Sequence, residues 1–137
     1  MARTAIPLST FTSGADLNDA GTAIDQSNGM NVALASTGIP AANGSEDLFL
    51  YVTNTDTGTH TVTIRKGVGG GATAGAAMRS GLGDLVTGNL TGSTGTAFIG
   101  PLDSMRFAQA DGSINVDFSS GAAGKIWALL IPRVPQV

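Results

Sequence analysis

The stretch "SINVDFSSGAAGKIWALLIP", Ser113 to Pro132, decides the fold class. Its first half alternates. Ile114, Val116 and Phe118 share one face, and Asn115 and Asp117 take the other, which is the period of a half-buried strand. A glycine-containing turn follows. "KIWALLIP" is then apolar on both faces, as expected of a central strand or one covered by a partner, and Pro132 ends it.

The same alternation recurs upstream. "DLFLYVTNT" sets Leu48, Leu50 and Val52 against Phe49, Tyr51 and Thr53. "NTDTG" has turn chemistry. "THTVTIRK" then sets His60, Val62 and Ile64 against Thr59, Thr61, Thr63 and Arg65. These two runs read as a hairpin with one dry and one wet face. A second hairpin is expected from "SMRFAQ" and "SINVDF", joined through Asp111-Gly112. Shorter strands are expected at Ile6–Phe11, Thr22–Ile24, Asn31–Ala35 and Ala97–Gly100. Helical periodicity is almost absent. The expectation is an all-β, single-domain antiparallel sandwich or barrel, with a jelly roll among the topologies allowed. Residues 1–11 form an extended N-terminal arm or edge strand. Residues 12–137 form the sandwich and its proline-containing tail.

Composition narrows the function. The chain has 137 residues, enough for one core. Nothing in it has the length of a bilayer-spanning run or the pattern of a signal peptide, so no membrane partner is expected. With no cysteine, thiolate metal sites and disulfides are excluded. Net charge is -3 and the seven basic residues are scattered, which leaves little footprint for nucleic acid. A surface this poor in charge suits a protein partly covered by neighbours.

Four constellations bear on chemistry. "TIRKGVGGGATAGAAM", Thr63 to Met78, contains G-x-G-x-x-A at Gly67, Gly69 and Ala72. A dinucleotide turn needs a buried parallel strand before it, a full helix after it and an acid about 20 residues on. Here the strand is half threonine, Gly81 and Gly83 break the helix, and Asp84 comes too early. A surface loop is the reading. "DLNDAG", Asp16 to Gly21, begins like a calcium loop, but Ala20 stands where an oxygen ligand belongs and Ser27 where the bidentate Glu belongs. His60 is the sole histidine, and no Gly-x-Ser-x-Gly elbow accompanies it; it reads as an edge-of-core residue. Glu46-Asp47 point to opposite faces, and Asp103, Asp111 and Asp117 are dispersed. No catalytic residue, cofactor or metal is expected. Trp127 is expected in the core or beneath a neighbouring subunit.

Several segments carry a family likeness: "MARTAIPLSTFT", "AGTAIDQSNG", "DLFLYVTNT", "RSGLGDL", and "IGPLDSMRFAQADGSINVDF" with "GKIWALLIPR". In them the chain resembles the small head decoration, or capsid cement, proteins of tailed bacteriophages, of the kind common in phages of actinobacteria. Where that family leads one to expect a proline-containing loop before "RSGLGDL", this chain has "GVGGGATAGAAM". The resemblance implies a non-enzymatic protein that binds the major capsid protein on the outer surface of an expanded head. It also implies a homo-oligomer, with a trimer favoured. Arg3, Thr4, Ile6, Leu8, Phe11, Trp127 and Arg133 are the expected capsid- or subunit-contacting residues. Removal of Met1 to Ser9 is expected to spare the fold. The alternative is a carbohydrate-binding or adhesin-like sandwich, which would need exposed aromatics or a complete calcium site.

Overall fold

A computed structural model of the chain describes residues 2–10, 19–32, 46–67, 82–102, 104–109 and 111–132. The protein is an all-β sandwich of two mixed, mostly antiparallel sheets, and they do not close into a barrel. In chain order the strands are β1 (Thr4–Ala5), β2 (Leu8–Thr10), β3 (Thr22–Ala23), β4 (Met30–Val32), β5 (Glu46–Asn54), β6 (Val62–Ile64), β7 (Leu85–Val86), β8 (Thr96–Ile99), β9 (Ile114–Phe118) and β10 (Gly124–Pro132). A single helical turn, α1, covers Ser104–Phe107. One sheet runs β1-β4-β9-β6-β7. The other runs β2-β10-β5-β8, with β3 also on β10.

Strand β10 is central, as its two apolar faces require. It pairs antiparallel with β5 from Gly124↔Asn54 to Pro132↔Glu46. Its other edge takes β2 in parallel and β3 antiparallel. The alternation sorts side chains as expected. Leu48, Leu50, Val52, Ile126, Ala128 and Leu130 face inward from this sheet, and Met30, Val32, Val62, Ile64, Ile114 and Val116 meet them from the other. Leu50, Val52, Ile64, Val116 and Ile126 are fully buried.

Three expectations need correction. The β5 and β6 runs are not a hairpin, because β5 lies in one sheet and β6 pairs with β7 and β9 in the other. The turn between them carries the chain across the sandwich. Alternation fixes which face a residue takes but not which strand lies beside it, and β10 gives β5 a nine-residue apolar partner. "SMRF" is a helical turn, not a strand. Only Ala108 bridges to Ile114, and Gln109 N–H donates to Ser113 O at 2.7 Å to close the reversal. Four residues do not distinguish a period of two from one of 3.6. The third is the expected tolerance to loss of Met1 to Ser9, because the N-terminal segment takes the edge-strand form of its two expected forms.

That segment is extended but bound at edge positions. Thr4 and Ala5 pair in parallel with Met30 and Asn31 of β4. Leu8, Ser9 and Thr10 pair in parallel with β10. The chain passes between the sheets at Ile6, which is 2% exposed and belongs to the core, and Leu8 packs against that core. The sandwich is thus closed along one side by its first ten residues.

This arrangement reverses the truncation expectation. Loss of Met1 to Ser9 removes a core side chain and two edge strands. Ile6→Ala alone should lower unfolding free energy by about 2–5 kcal/mol, measured by urea denaturation.

Candidate interaction face

The two outer faces differ in chemistry. On the β1-β4-β9-β6-β7 sheet the charges are spent on one another. Asp117 on β9 accepts from Arg3 Nη1 at 2.6 Å and from Arg65 Nε at 2.6 Å. Arg65 Nη1 also reaches Asp84 at 2.9 Å. Asp84 accepts Lys66 N–H at 2.7 Å, and Arg106 donates to Gly83 O at 3.0 Å. A ladder Arg3–Asp117–Arg65–Asp84 therefore straps strands β1, β9, β6 and β7 from outside. Burial pushes the Asp117 carboxyl up, but the hydrogen bonds from Arg3 and Arg65 outweigh it and hold the pKa below the ordinary value.

The outer face of the other sheet is aromatic. Of five phenylalanines, one tyrosine and one tryptophan, Phe49, Tyr51, Phe98 and Trp127 gather there. Tyr51 lies beside Trp127 on β10 and beside Phe98 on β8. Phe49 and Phe98 stack with centroids 4.9 Å apart and planes 11° apart. Tyr51 and Trp127 meet at 5.3 Å and 43°. Phe98 is 58% exposed, the large side chain most open to solvent on this face. Ile131 and Leu129 continue the face along β10.

Trp127 is half-buried on this outer face and is not a core residue. Its indole N–H donates to Asp19 O at 2.9 Å. Gly21, at φ 76°, lies over the ring: a Cβ there would stand 2.6 Å from the indole Cε2. Only glycine allows both that backbone and that approach. The exposed Asp19 carboxylate accepts from Ser9 Oγ and from Gly21 N–H. Asp16 to Asn18 of "DLNDAG" lie outside the described residues. Among the described residues no cluster of three or more His, Asp or Glu side chains could hold a metal.

The remaining expected contact residues are committed within the chain. Arg3 is in the ladder. Thr4 Oγ1 donates to Asp25 at 2.6 Å. Ile6 is buried and Leu8 packs on the core. None of these four is available as a free arm would be, because the edges of both sheets already hold them. Phe11 and Arg133 lie outside the described residues. Trp127 alone among the seven is on the aromatic face. Sequence reasoning missed Phe49, Tyr51 and Phe98 as a group. The signal was present in "DLFLYVT", whose wet-face positions are aromatic.

His60 is buried, as expected of a residue alternating with Val62 and Ile64, and it bridges two side chains. Nε2 lies 2.7 Å from Asp56 and Nδ1 lies 3.1 Å from Ser119 Oγ. The Asp56 carboxylate accepts from Nε2–H, and in the neutral ring the Ser119 hydroxyl then donates to Nδ1. This bond, with Gly58 N–H, holds the Asp56 pKa low. The trio has the composition of a catalytic triad, but Ser119 Oγ also accepts Thr61 N–H at 3.0 Å. The cluster fastens the turn after β5, the start of β6 and the end of β9 together. Asn54, 2% exposed, completes it by donating to Gly58 O and Thr91 O.

The glycine loop begins at a close contact. Gly67 N–H donates to Arg106 O at 2.7 Å, and a Cβ on Gly67 would stand 2.2 Å from Ala108 O. The preceding strand β6 is antiparallel to both neighbours, unlike the parallel strand of a dinucleotide turn. Residues 68–81 lie outside the described residues.

No family model, curated protein or solved structure matches the chain. Among the described residues no helix is long and apolar enough to cross a membrane.

The lowered carboxyl pKa values predict a loss of stability in acid. Asp25 is lowered to about 2, first by Thr4 and then by Asn28. Asp56, Asp84, Asp111 and Asp117 are lowered too. A depressed carboxyl contributes stability that is full above its unfolded pKa of about 3.9 and is lost as pH falls through the folded value. The melting temperature should therefore hold above about pH 5 and drop steeply from pH 4 to 2. Asp25→Asn should give a shallower drop in the same scan.

Proposed function

We propose that the protein is a non-enzymatic capsid decoration protein. In this reading it binds the major capsid protein on the outer surface of a tailed-phage head and stabilises the expanded lattice. The observation that carries it is the aromatic outer face of the β2-β10-β5-β8 sheet. Interfaces are enriched in aromatics and depleted of charge at their centres, and Phe49, Tyr51, Phe98 and Trp127 form such a centre. The sheet on the other side directs its charges into an internal ladder and so has little charge to offer an electrostatically recognised ligand. The sequence resemblance to head decoration proteins supplies the partner. Its place is then the outside of the virion.

The ring geometry favours a protein surface over a glycan. Sugars stack on open ring faces; here Phe49 and Phe98 each cover one face of the other and Gly21 lies against the Trp127 indole, so fewer faces are open than on four free rings. Interlocking side chains of a protein partner can use the remaining ring faces and edges and the half-buried Ile131 beside them.

In this reading the contact is through a sheet face, not through an N-terminal arm. Many equivalent weak contacts on a lattice raise overall avidity above that of any single contact.

Co-sedimentation with expanded and unexpanded shells tests this. The wild-type protein should pellet with expanded shells. Phe98→Ala, which removes an exposed ring at small cost to the fold, should weaken binding roughly tenfold or more, the loss expected of an interface anchor. Absence of binding to either shell would overturn the reading.

A further inference from the structure

The sandwich has open strand edges, and they are treated differently. Sheets normally blunt such edges with charge, proline, bulges or shortness, because unpaired N–H and C=O groups recruit other strands. Strands β1 and β7 are two residues each. Arg3 precedes β1, and the Arg65–Asp84 pair lies beside β7. The edge formed by β2 is guarded by the Ser9–Asp19 contact. Strand β8, "TAFI", has no such protection. It carries no charge and no proline, and it pairs with β5 alone among the described residues.

Its hydrogen-bonding pattern can be fixed residue by residue. Asn54 N–H donates to Gly95 O at 2.7 Å. In an antiparallel ladder alternate residues share a side, so Ala97 and Ile99 also direct their N–H and C=O groups to β5. Thr96 and Phe98 direct theirs to the open edge. On the far side of β5 the alternation agrees, since Thr55 N–H donates to Ala123 O at 2.9 Å.

We propose that a second copy of this chain pairs with this edge, β8 against β8, about a two-fold axis at Ala97. Thr96 then faces Phe98 of the other copy, and Phe98 faces Thr96, each pair exchanging both N–H···O bonds. Ala97 meets its own counterpart in the non-hydrogen-bonded position, at a Cα separation of about 4.5 Å. Two-fold pairing sets like near like, so any charge on the strand would meet its own sign across the axis. The uncharged edge is the one that tolerates this, and the β1 and β7 edges are not. Threonine and phenylalanine are also a favourable cross-strand combination. The pairing joins two aromatic faces into one continuous surface. It does not depend on the capsid reading, since it rests on the backbone of β8.

Sedimentation equilibrium and a single introduced cysteine test it, and the natural chain contains no cysteine to interfere. The wild-type protein should sediment at twice its chain mass of 13.6 kDa. Thr96→Lys, an exposed position, should return it to one chain mass with an unchanged circular dichroism spectrum. Ala97→Cys should form a disulfide-linked dimer under mild oxidation, and Ser120→Cys, on an exposed turn, should not. A monomer at high concentration overturns the inference, as does a trimer or a dimer indifferent to Thr96→Lys. So does equal crosslinking at both cysteines. A monomer whose Thr96 and Phe98 amides gain exchange protection only on shells would assign the edge to a capsid strand instead. Shell binding by a protein that fails these tests would leave the decoration reading standing.

Discussion

The sandwich depends on the nine-residue antiparallel pairing of β10 with β5. These strands lie far apart in sequence, and their pairing joins the middle of the chain to its last described residues. Every other element of that sheet is placed by it. β8 needs the second edge of β5, and β2 and β3 need the second edge of β10. The pairing also creates the aromatic face, because its register sets Tyr51 beside Trp127 and Phe49 beside Leu129. A one-residue slip of β5 would turn Phe49 and Tyr51 into the core and bring Leu50 and Val52 out to water. Core burial therefore enforces the register, and the register presents the rings.

The N-terminal segment closes the structure that β10 organises. One short passage supplies an edge to each sheet, with Ile6 buried where the chain crosses. Arg3 then reaches β9, whose Asp117 also holds Arg65. The shared carboxylate makes the outer ladder a single unit. Exposed ion pairs contribute little individually, but Arg3 and Asp117 are partly buried and tie β1 to β9 across the intervening β4. Its role is to fix which residues lie at the edges.

Much of the fold was legible in the sequence. The alternation in "SINVDF" and "DLFLYVT" named the inward residues, and the double-faced apolarity of "KIWALLIP" named the central strand. Connectivity was not legible. Alternation is a property of one strand, whereas pairing is a property of two, and nothing in "THTVTIRK" states that it crosses to the other sheet. "SMRF" was too short to show a period. The N-terminal segment reads as either an arm or an edge strand, because Pro7 and its apolar residues suit both equally. What separates the two is a vacant edge on β4 and β10, which exists only in the folded molecule. The interaction face was half legible: Phe49 and Tyr51 were marked as outward, but Phe98 and Trp127 join them only through long-range register.

The distribution of charge brings these strands of reasoning together. A chain with 12% charged residues must choose where to place them, since charge keeps surfaces apart as well as soluble. Arg3, Arg65, Asp84 and Asp117 are placed on one outer face, and Asp56 with His60 at a turn cluster. The opposite sheet carries its rings between Lys125 and Asp47, and its β8 edge bears no charge. A monomer living alone in solution gains nothing from that asymmetry, because an exposed aromatic face and an uncharged strand edge both invite association. The assembly proposed above would use this asymmetry, turning the ionic face to solvent and covering the aromatic one.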